Sequence, residues 1–440
     1  MTPPPPTADR RPPTADPSAV ASAKADPLRI LEVAALPFPS RQGTQVALDS
    51  VCRGLAERGH DVHLLVYAHG AFPLRAPYTI HRLPDSPRFR SLRSGPDWRR
   101  ALLDLRLALE LRRLARVLRP DVVHLHNVEA AAAALLLPFR PDAPCVYHAH
   151  NLMEHELPIY GTLGPPALAR RLGRWLDAQL PARADLALAI SAPTRDGLLR
   201  AGADPSRVRV VEPGADLEDL AGPPAPRLAG AGEPATVIAR PSSDAVRDAF
   251  ERAVATPRAR ADVPDVLGVA HLGNLDRYQG LDTLLSAVAR VRDRDRVAEL
   301  VVISDSSPEA LGARAARLRV PIRFVPHESL ANALCVLGDC RVAALARNVP
   351  GGFPMKLIAL LAAGIPVAAT QTAVRGLDVE AAVVAARDDS PAALAAAIVT
   401  AADDGRGADR VAAGLRLART HFSRAAAAER LETALRGRRR

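Results

Sequence analysis

Short apolar runs rich in β-branched residues alternate with stretches of helical periodicity from Leu28 onward. This alternation constrains the fold most, because strands joined through crossover helices run parallel in one sheet. Candidate strands are 29–35, 61–67, 121–125, 145–149, 186–190 and 208–211 in the first half, and 266–272, 300–304, 322–325, 342–345 and 366–370 in the second. The sequence therefore predicts an α/β fold of two Rossmann-like, doubly wound parallel-sheet domains that face each other across a cleft.

The domain boundaries follow from shifts in composition. Residues 1–27 contain eight prolines and little apolar content, which predicts a disordered leader. An N-terminal domain is expected at 28–221, a linker or insertion at 222–265 and a C-terminal domain at 266–405. Further helices and a basic tail are expected at 406–440. Within the linker region, 235–265 shows no clear period and is interpreted as an inserted strand and helix.

Composition excludes several classes of protein. The longest apolar run, 130–137, is far shorter than the ~18 residues of a membrane-spanning helix. The N-terminus has no apolar signal-peptide region. Together these features predict a cytoplasmic protein. The four cysteines, Cys52, Cys145, Cys335 and Cys340, form no C-x-x-C pair, which favours buried thiols over disulfides.

The formal charge of +10 identifies no partner by itself. Only Lys24 and Lys356 are lysines among the 58 basic residues, and such an arginine excess is typical of a high-GC genome. No nucleic-acid partner is expected, because aromatic residues make up only 3% of the chain and no recognition motif is present.

The segment 88–119 is locally basic, with ten arginines against three acids beside an apolar stripe at helical spacing. The stripe consists of Leu103, Leu107, Leu111, Leu114 and Leu118. Two interpretations are open. The helix can cover the core of its own domain, as most amphipathic helices do, or it can lie on an anionic membrane surface. In the second case the protein is peripheral on the inner face of the membrane.

Two glycine loops are candidate anion sites. Gly43 lies between the first strand and the helix that follows it, where a glycine lets backbone N–H groups approach a phosphate. The alternative is a tight turn without a ligand. The loop of Gly351, Gly352, Phe353 and Pro354 gives a stronger indication, because it opens a helix that ends before Pro366.

No metal site is predicted. His148, His150, Glu154, His155 and Glu156 are close in sequence, but no cysteine or distant histidine completes a recognisable ligand set. Asp293 and Asp295 are interpreted as solvated charge. Ser191 lacks the G-x-S-x-G surroundings of a nucleophile.

The loops, taken in order, resemble the retaining GT-B-type glycosyltransferases of family four. The resemblance covers about 28–422 and includes a subset marked by G-N-x-x-x-Y-Q-G and G-F-P-x-K-L loops. The matching motifs are P-x-P…G-T-Q at 37–45, R-G-H-D-V at 58–62, D-V-V-H-x-H-N at 121–127, H-x-H-N-L-M-x-x-E-L-P at 148–158, P-G-x-D at 213–216, the two loops at 273–280 and 352–357, and A-A-G-x-P-V-A-A-T at 362–370. The resemblance implies metal-independent sugar transfer without a cofactor, in the cleft, from a nucleotide-diphosphate sugar to an envelope glycan or lipid-linked acceptor.

The resemblance also implies roles for individual residues. His150 is expected to touch the sugar. The donor and its phosphates are expected at Gly43, Asn274, Arg277, Gln279, Gly351, Gly352, Phe353, Pro354 and Lys356. The acceptor side is expected at His126, Asn127, Glu129, Asn151 and Glu154. This sequence departs from the family at Asn274 and Gln279, where many members have Arg and Lys, and at Gly351 and Ala359, where many have glutamates.

Lys356 is the strongest single candidate, because it is the only lysine after residue 24. It lies in the first turn of a helix whose N-terminus favours an anion, where it can replace the cations missing at Asn274 and Gln279. The other interpretation is a site whose packing excludes a guanidinium. The sequence thus predicts a hexosyltransferase-like enzyme with His150 and Lys356 as catalytic residues. The alternative is a non-catalytic GT-B protein that binds a nucleotide, a glycan or a partner enzyme.

Overall fold

The computed structural model describes residues 26–40, 42–71, 74–85, 98–138, 140–161, 164–216, 266–292, 297–327, 330–403 and 405–437. The expected leader up to residue 25, the linker region and the acidic pair at 293 and 295 lie outside these residues. So does the first part of the basic segment, 88–97.

The first half of the chain forms a seven-stranded parallel sheet in the order β3-β2-β1-β4-β5-β6-β7. Its strands are β1 (Arg29–Ala34), β2 (Asp61–Val66), β3 (Thr79–Arg82), β4 (Val122–His126), β5 (Cys145–Ala149), β6 (Leu186–Ala189) and β7 (Val208–Val210). The order reverses between β1 and β4, so the loops at their carboxyl ends diverge and leave room for a ligand. Strand β3 was not expected from the sequence.

The second half forms a six-stranded parallel sheet in the order β10-β9-β8-β11-β12-β13. Its strands are β8 (Leu267–Leu272), β9 (Ala298–Ile303), β10 (Ile322–Val325), β11 (Val342–Leu345), β12 (Val367–Ala369) and β13 (Val383–Ala385). The predicted fold class, two doubly wound parallel-sheet domains, is confirmed.

Helices cover both faces of each sheet. In the first half they are α1 (Gly43–Glu57), α2 (Trp98–Leu118), α3 (Asn127–Leu135), α4 (Met153–Tyr160), α5 (Pro166–Arg183) and α6 (Ala192–Arg200). In the second half they are α7 (Leu281–Arg292), α8 (Glu309–Arg317), α9 (Leu330–Gly338), α10 (Met355–Ala362), α11 (Gln371–Val374), α12 (Pro391–Asp403), α13 (Gly407–Thr420) and α14 (Arg424–Arg436). The strands run as nearly continuous apolar sequence because both of their faces are buried.

The last helix returns to the first domain. Leu431 and Leu435 of α14 join the core between the first sheet and α1. Arg58 at the end of α1 forms an ion pair with Glu432 at 2.5 Å, across 374 residues of sequence. Helix α13, by contrast, packs on α10 of the second domain. The C-terminal helices therefore tie the two domains together.

The outer surface of the first domain carries an unusual share of apolar side chains. Leu103, Leu107, Leu111 and Leu114 of α2 face the core, so the expected stripe covers its own domain. Other large apolar side chains on α2 and α5 are exposed. They are Leu102, Leu105, Leu109, Val117, Leu168, Leu172 and Trp175, seven of the ten exposed large apolar residues in the described part of the chain. None of the described helices is long and apolar enough to cross a bilayer.

Candidate functional site

The cleft between the two sheets brings two helix N-termini together. Helix α1 begins at Gly43, and a Cβ on this glycine would lie 3.5 Å from the side chain of Met355, the first residue of α10. Gly43 itself is exposed. Because the first turn of a helix has N–H groups without intrahelical partners and a positive dipole end, this junction favours an anion.

The loop before α10 depends on two glycines with left-handed backbone angles. Gly351 has φ +85° and Gly352 has φ +70°. The N–H of Gly352 donates to Thr194 Oγ1 of the first domain at 2.9 Å. A Cβ on Gly352 would lie 2.3 Å from Asn151 Oδ1, so only glycine allows this close approach of the domains.

Lys356 begins a chain of polar side chains in the same part of the cleft. Its Nζ donates to Gln279 Oε1 at 2.6 Å, and Gln279 Nε2 donates to Asn274 Oδ1, also at 2.6 Å. Asn274 Nδ2 then donates to Asp276 Oδ2 at 2.8 Å. Three of the predicted donor-side residues are thus directly linked. Burial, with a smaller contribution from Arg347, lowers the pKa of Lys356 from 10.5 to about 7.

Arg347 is a cation in the cleft that the sequence analysis missed. It follows β11, and its Nη2 donates to Asn151 Oδ1 across the cleft at 3.4 Å. Burial lowers its pKa, while Tyr278 and Glu156 act in the opposite direction. Because the chain contains many arginines, the residue type alone did not mark Arg347 as a site residue. Its position directly after a strand was the only indication available.

The histidines of two neighbouring strands form a buried cluster with Glu32 of β1. His124 and His126 come from β4, and His148 and His150 from the end of β5. All five residues are at most 7% exposed. Alternate residues of a strand share one face of the sheet, so the H-x-H spacings place these rings together. Glu32 was missed, although an acid within the apolar run R-I-L-E-V-A was a visible signal.

Three of these rings come close enough to suggest a metal site. Ring nitrogens of His124, His126 and His148 all lie within 4.8 Å of one another. The sequence analysis found no distant histidine to complete a ligand set, and the fold supplies two. However, Glu32 Oε2 already lies 2.7 Å from His124 Nδ1 and 2.6 Å from His126 Nε2. The Glu32–His126 contact is a hydrogen bond, whereas the ring nitrogens of His124 and His148 are buried and have no hydrogen-bond partner among the described residues.

The other acceptor-side candidates are divided between the cleft and the surface. Asn127, at φ +64°, begins α3, and Glu129 lies exposed in the first turn of that helix. Glu154 forms an ion pair with Arg174 at 2.5 Å and so is directed towards α5. Its neighbour Glu156 accepts from Tyr160 at 2.6 Å, and burial raises its pKa.

Several remaining candidates have structural positions. Arg277 is exposed, whereas Phe353 is buried and packs edge-on against Phe422 at 5.4 Å. Pro354 lies just before α10 and not in its first turn. Ser191 caps α6 by accepting from the N–H of Thr194 at 3.4 Å. The described cysteine side chains, at 52, 145 and 340, are buried thiols outside any disulfide.

Comparison with known proteins matches each half of the chain to a glycosyltransferase family. Residues 41–219 match the family described as Glycosyltransferase Family 4, and residues 267–404 match Glycosyl transferases group 1. The chain belongs to the GT-B glycosyltransferases. The matched segments leave out β1, the linker region, α13 and α14.

Solved GT-B structures share the fold at low sequence identity. Sucrose-phosphate synthase from Thermosynechococcus elongatus superposes with a TM-score of 0.70 and 17% identity, over 93% of this chain and 98% of that one. Anabaena HepE, crystallised with UDP and glucose, superposes with a TM-score of 0.64 and 15% identity, over 93% of this chain and 100% of that one. WaaG, a glycosyltransferase involved in lipopolysaccharide biosynthesis, superposes with a TM-score of 0.60 and 15% identity, over 93% of this chain and 100% of that one.

Two curated relatives have the same name. D-inositol 3-phosphate glycosyltransferase from Streptomyces coelicolor is 31% identical over 278 residues, which are 59% of this GT-B chain and 55% of the relative. The enzyme of that name from Corynebacterium aurimucosum is 27% identical over 217 residues, 47% of this chain and 45% of the relative. This chain therefore spans about half the length of the curated relatives it matches.

Proposed function

We propose that this GT-B protein transfers a sugar, with retention, from a nucleotide-diphosphate sugar to an envelope glycan or lipid-linked acceptor. The observation that carries the proposal is the meeting of two helix N-termini beside Lys356 and Arg347. Positive charge preorganised where a leaving diphosphate gains negative charge stabilises the transition state. The same cations support transfer without a metal ion.

The relatives support the donor class. HepE was crystallised with UDP and UDP-glucose, so a uridine nucleotide is the first donor to test. D-inositol 3-phosphate glycosyltransferases carry a phosphorylated acceptor in their name, and an anionic acceptor suits a cleft that contains Arg347. On the donor side, Asn274 and Gln279 act as neutral hydrogen-bonding groups, and Lys356 supplies the charge.

The second candidate function is binding without turnover. It is favoured by Gly351 and Ala359, which stand where many family members have glutamates. A screen of nucleotide sugars by thermal stabilisation separates the two, because a ligand at 100 times its Kd stabilises the folded state by about 2.7 kcal/mol. Stabilisation by a nucleotide sugar together with sugar release or transfer supports the enzyme. Stabilisation by the plain nucleotide alone, without turnover, supports the binding protein, and no stabilisation by any donor contradicts the enzyme.

The outer face of α2 and α5 provides a membrane contact in this proposal. Its exposed leucines and Trp175 are interspersed with exposed arginines, which are Arg106, Arg113, Arg116, Arg170, Arg171 and Arg174. Apolar side chains that enter the headgroup region, flanked by cations for anionic lipid, are typical of interfacial helices. A lipid-linked acceptor would then reach the cleft from the membrane surface.

A further inference from the structure

A polar layer lies inside an otherwise apolar part of the first domain. Glu32, His126 and His150 occupy the face of the sheet that α1 and α14 cover, among residues such as Leu48 and Leu431. Burying ionisable groups costs free energy unless each has hydrogen-bond partners. Replacing buried ion pairs by well-packed apolar residues is often neutral or stabilising, so this arrangement points to a cause other than stability.

The contacts form a line from the sheet interior to the cleft. His126 Nε2 lies 2.6 Å from Glu32 Oε2, and His126 Nδ1 lies 3.1 Å from His150 Nε2. His150 ends the line, and its backbone oxygen lies beside Gly352 of the opposite domain. His124 also approaches Glu32, at 2.7 Å, but it lies outside this path.

The line fixes which ring nitrogens carry protons. Burial alone would raise the pKa of Glu32, but His124 and His126 outweigh it and lower the pKa to about 2, so the carboxylate is ionised. It therefore accepts a hydrogen bond from His126 Nε2–H. Burial lowers the pKa of both His126 and His150, which favours neutral rings with one proton each. His126 Nδ1 is then an acceptor, and His150 must donate from Nε2.

We propose that Glu32 is a positioning residue that acts through His126 to hold His150 with Nε2 protonated and Nδ1 as an acceptor for a sugar hydroxyl. This inference rests on the proposed function, because it assigns the sugar to His150. It adds a residue 118 positions away from His150 to the site and gives the direction of the hydrogen bond: the sugar donates and the protein accepts.

The first test reads the tautomer directly and does not depend on activity. In protein labelled with ¹⁵N-histidine, the two ring nitrogens of His150 are distinguished by NMR as protonated or bare, with His150→Gln used for assignment. The wild type should have a proton on Nε2 and a bare Nδ1. Glu32→Gln should change this state, because an amide can donate to His126 as well as accept from it. A proton on Nδ1 in the wild type would overturn the inference.

The second test uses kinetics with a matched control. Glu32→Gln should lower kcat/KM about 10- to 100-fold, the loss expected when a hydrogen bond to a charged group is removed. His60→Asn changes another buried histidine of the first domain, which accepts from the N–H of Leu28 and lies outside the path, so it should lower the melting temperature but leave kcat/KM within about threefold. Equal losses in both variants would mean that the layer is only structural.

A third measurement connects Glu32 to the substrate. With a donor that lacks the hydroxyl bound by His150, wild type and Glu32→Gln should have similar rates, so donors deoxygenated at each position in turn identify that hydroxyl. A uniform loss across all donors contradicts the inference. A stoichiometric metal ion bound by the purified protein and lost in His124→Asn would replace it with a metal site. If the wild type transfers no sugar, the proposed function fails, and the NMR result still decides the tautomer.

Discussion

Lys356→Met removes the ammonium group in the cleft while keeping a side chain of similar length. The pKa of Lys356 falls from 10.5 in the unfolded chain to about 7 in the folded protein, so holding the proton on Lys356 at neutral pH costs folding free energy. At 1.36 kcal/mol per pKa unit this costs up to about 5 kcal/mol, an upper bound because Lys356 is partly open to the cleft. Gln279 Oε1 loses its donor in the variant, which costs about 1–3 kcal/mol. We expect a net gain in stability of about 1–3 kcal/mol at pH 7.

The pH dependence of this gain identifies its cause. The unfolded chain keeps the Lys356 proton up to about pH 10.5, whereas the folded protein releases it near pH 7. The unfolded state therefore binds more protons between these values, and wild-type stability rises with pH across that window. The variant lacks this contribution, so its advantage should shrink towards about pH 10.

The assay is urea unfolding of wild type and variant at neutral and alkaline pH, paired with nucleotide-sugar binding and transfer. Lys356→Met should be more stable at pH 7 and yet lose donor-induced stabilisation and turnover. Lys24→Met, at the chain's other lysine, is the matched control and should change neither. A variant that is destabilised equally at both pH values, or that transfers sugar at a near-normal rate, would refute the reasoning.

Three further outcomes are expected. Gly352→Ala should weaken donor binding and destabilise the protein by about 1–3 kcal/mol, because its Cβ would meet Asn151. The control Gly161→Ala has a similar φ of +65° and nothing within 4 Å of its Cβ, so it should cost less stability and leave donor binding unchanged. Urea unfolding and donor titration of both variants check this. The double variant Leu172→Ser, Trp175→Ser should float less with anionic vesicles, whereas the control Leu318→Ser, at a leucine exposed elsewhere, should float as the wild type does. Wild-type binding should weaken as salt shortens the Debye length to ~3 Å at 1 M. Equal binding to neutral vesicles would contradict the membrane contact. Leu431→Ala should destabilise the first domain by about 2–5 kcal/mol, which hydrogen exchange in α1 and β2 will detect; protection there equal to wild type would contradict the packing of α14.

Most strands could be predicted because their residues are apolar on both faces. The exceptions are β3, with the sequence T-I-H-R, and β13, with V-V-A. Both are short edge strands, which bury less surface and so carry a weaker pattern.

Contacts within the candidate site follow from the sequence only where their residues lie in one short motif. The glycine loop at 351–352 depends on nearby sequence and on one type of turn. The contact between Lys356 and Gln279 spans 77 residues of sequence, and Glu32 and His126 reach His150 only through the pairing of β1, β4 and β5. Glu154 and Glu156 show the same limit at short range. They are two residues apart on one helix, yet Glu154 pairs with Arg174 of α5 and Glu156 accepts from Tyr160 of their own helix.

The return of α14 to the first domain has a consequence for synthesis of the chain. A ribosome releases the first domain early, but the surface of α1 that receives Leu431 and Leu435 stays uncovered until the C-terminal helix emerges. During translation of the second domain, this apolar surface is available to chaperones and to neighbouring nascent chains. The first domain thus completes its core only when the second has been made, which couples the maturation of one half of the cleft to the presence of the other.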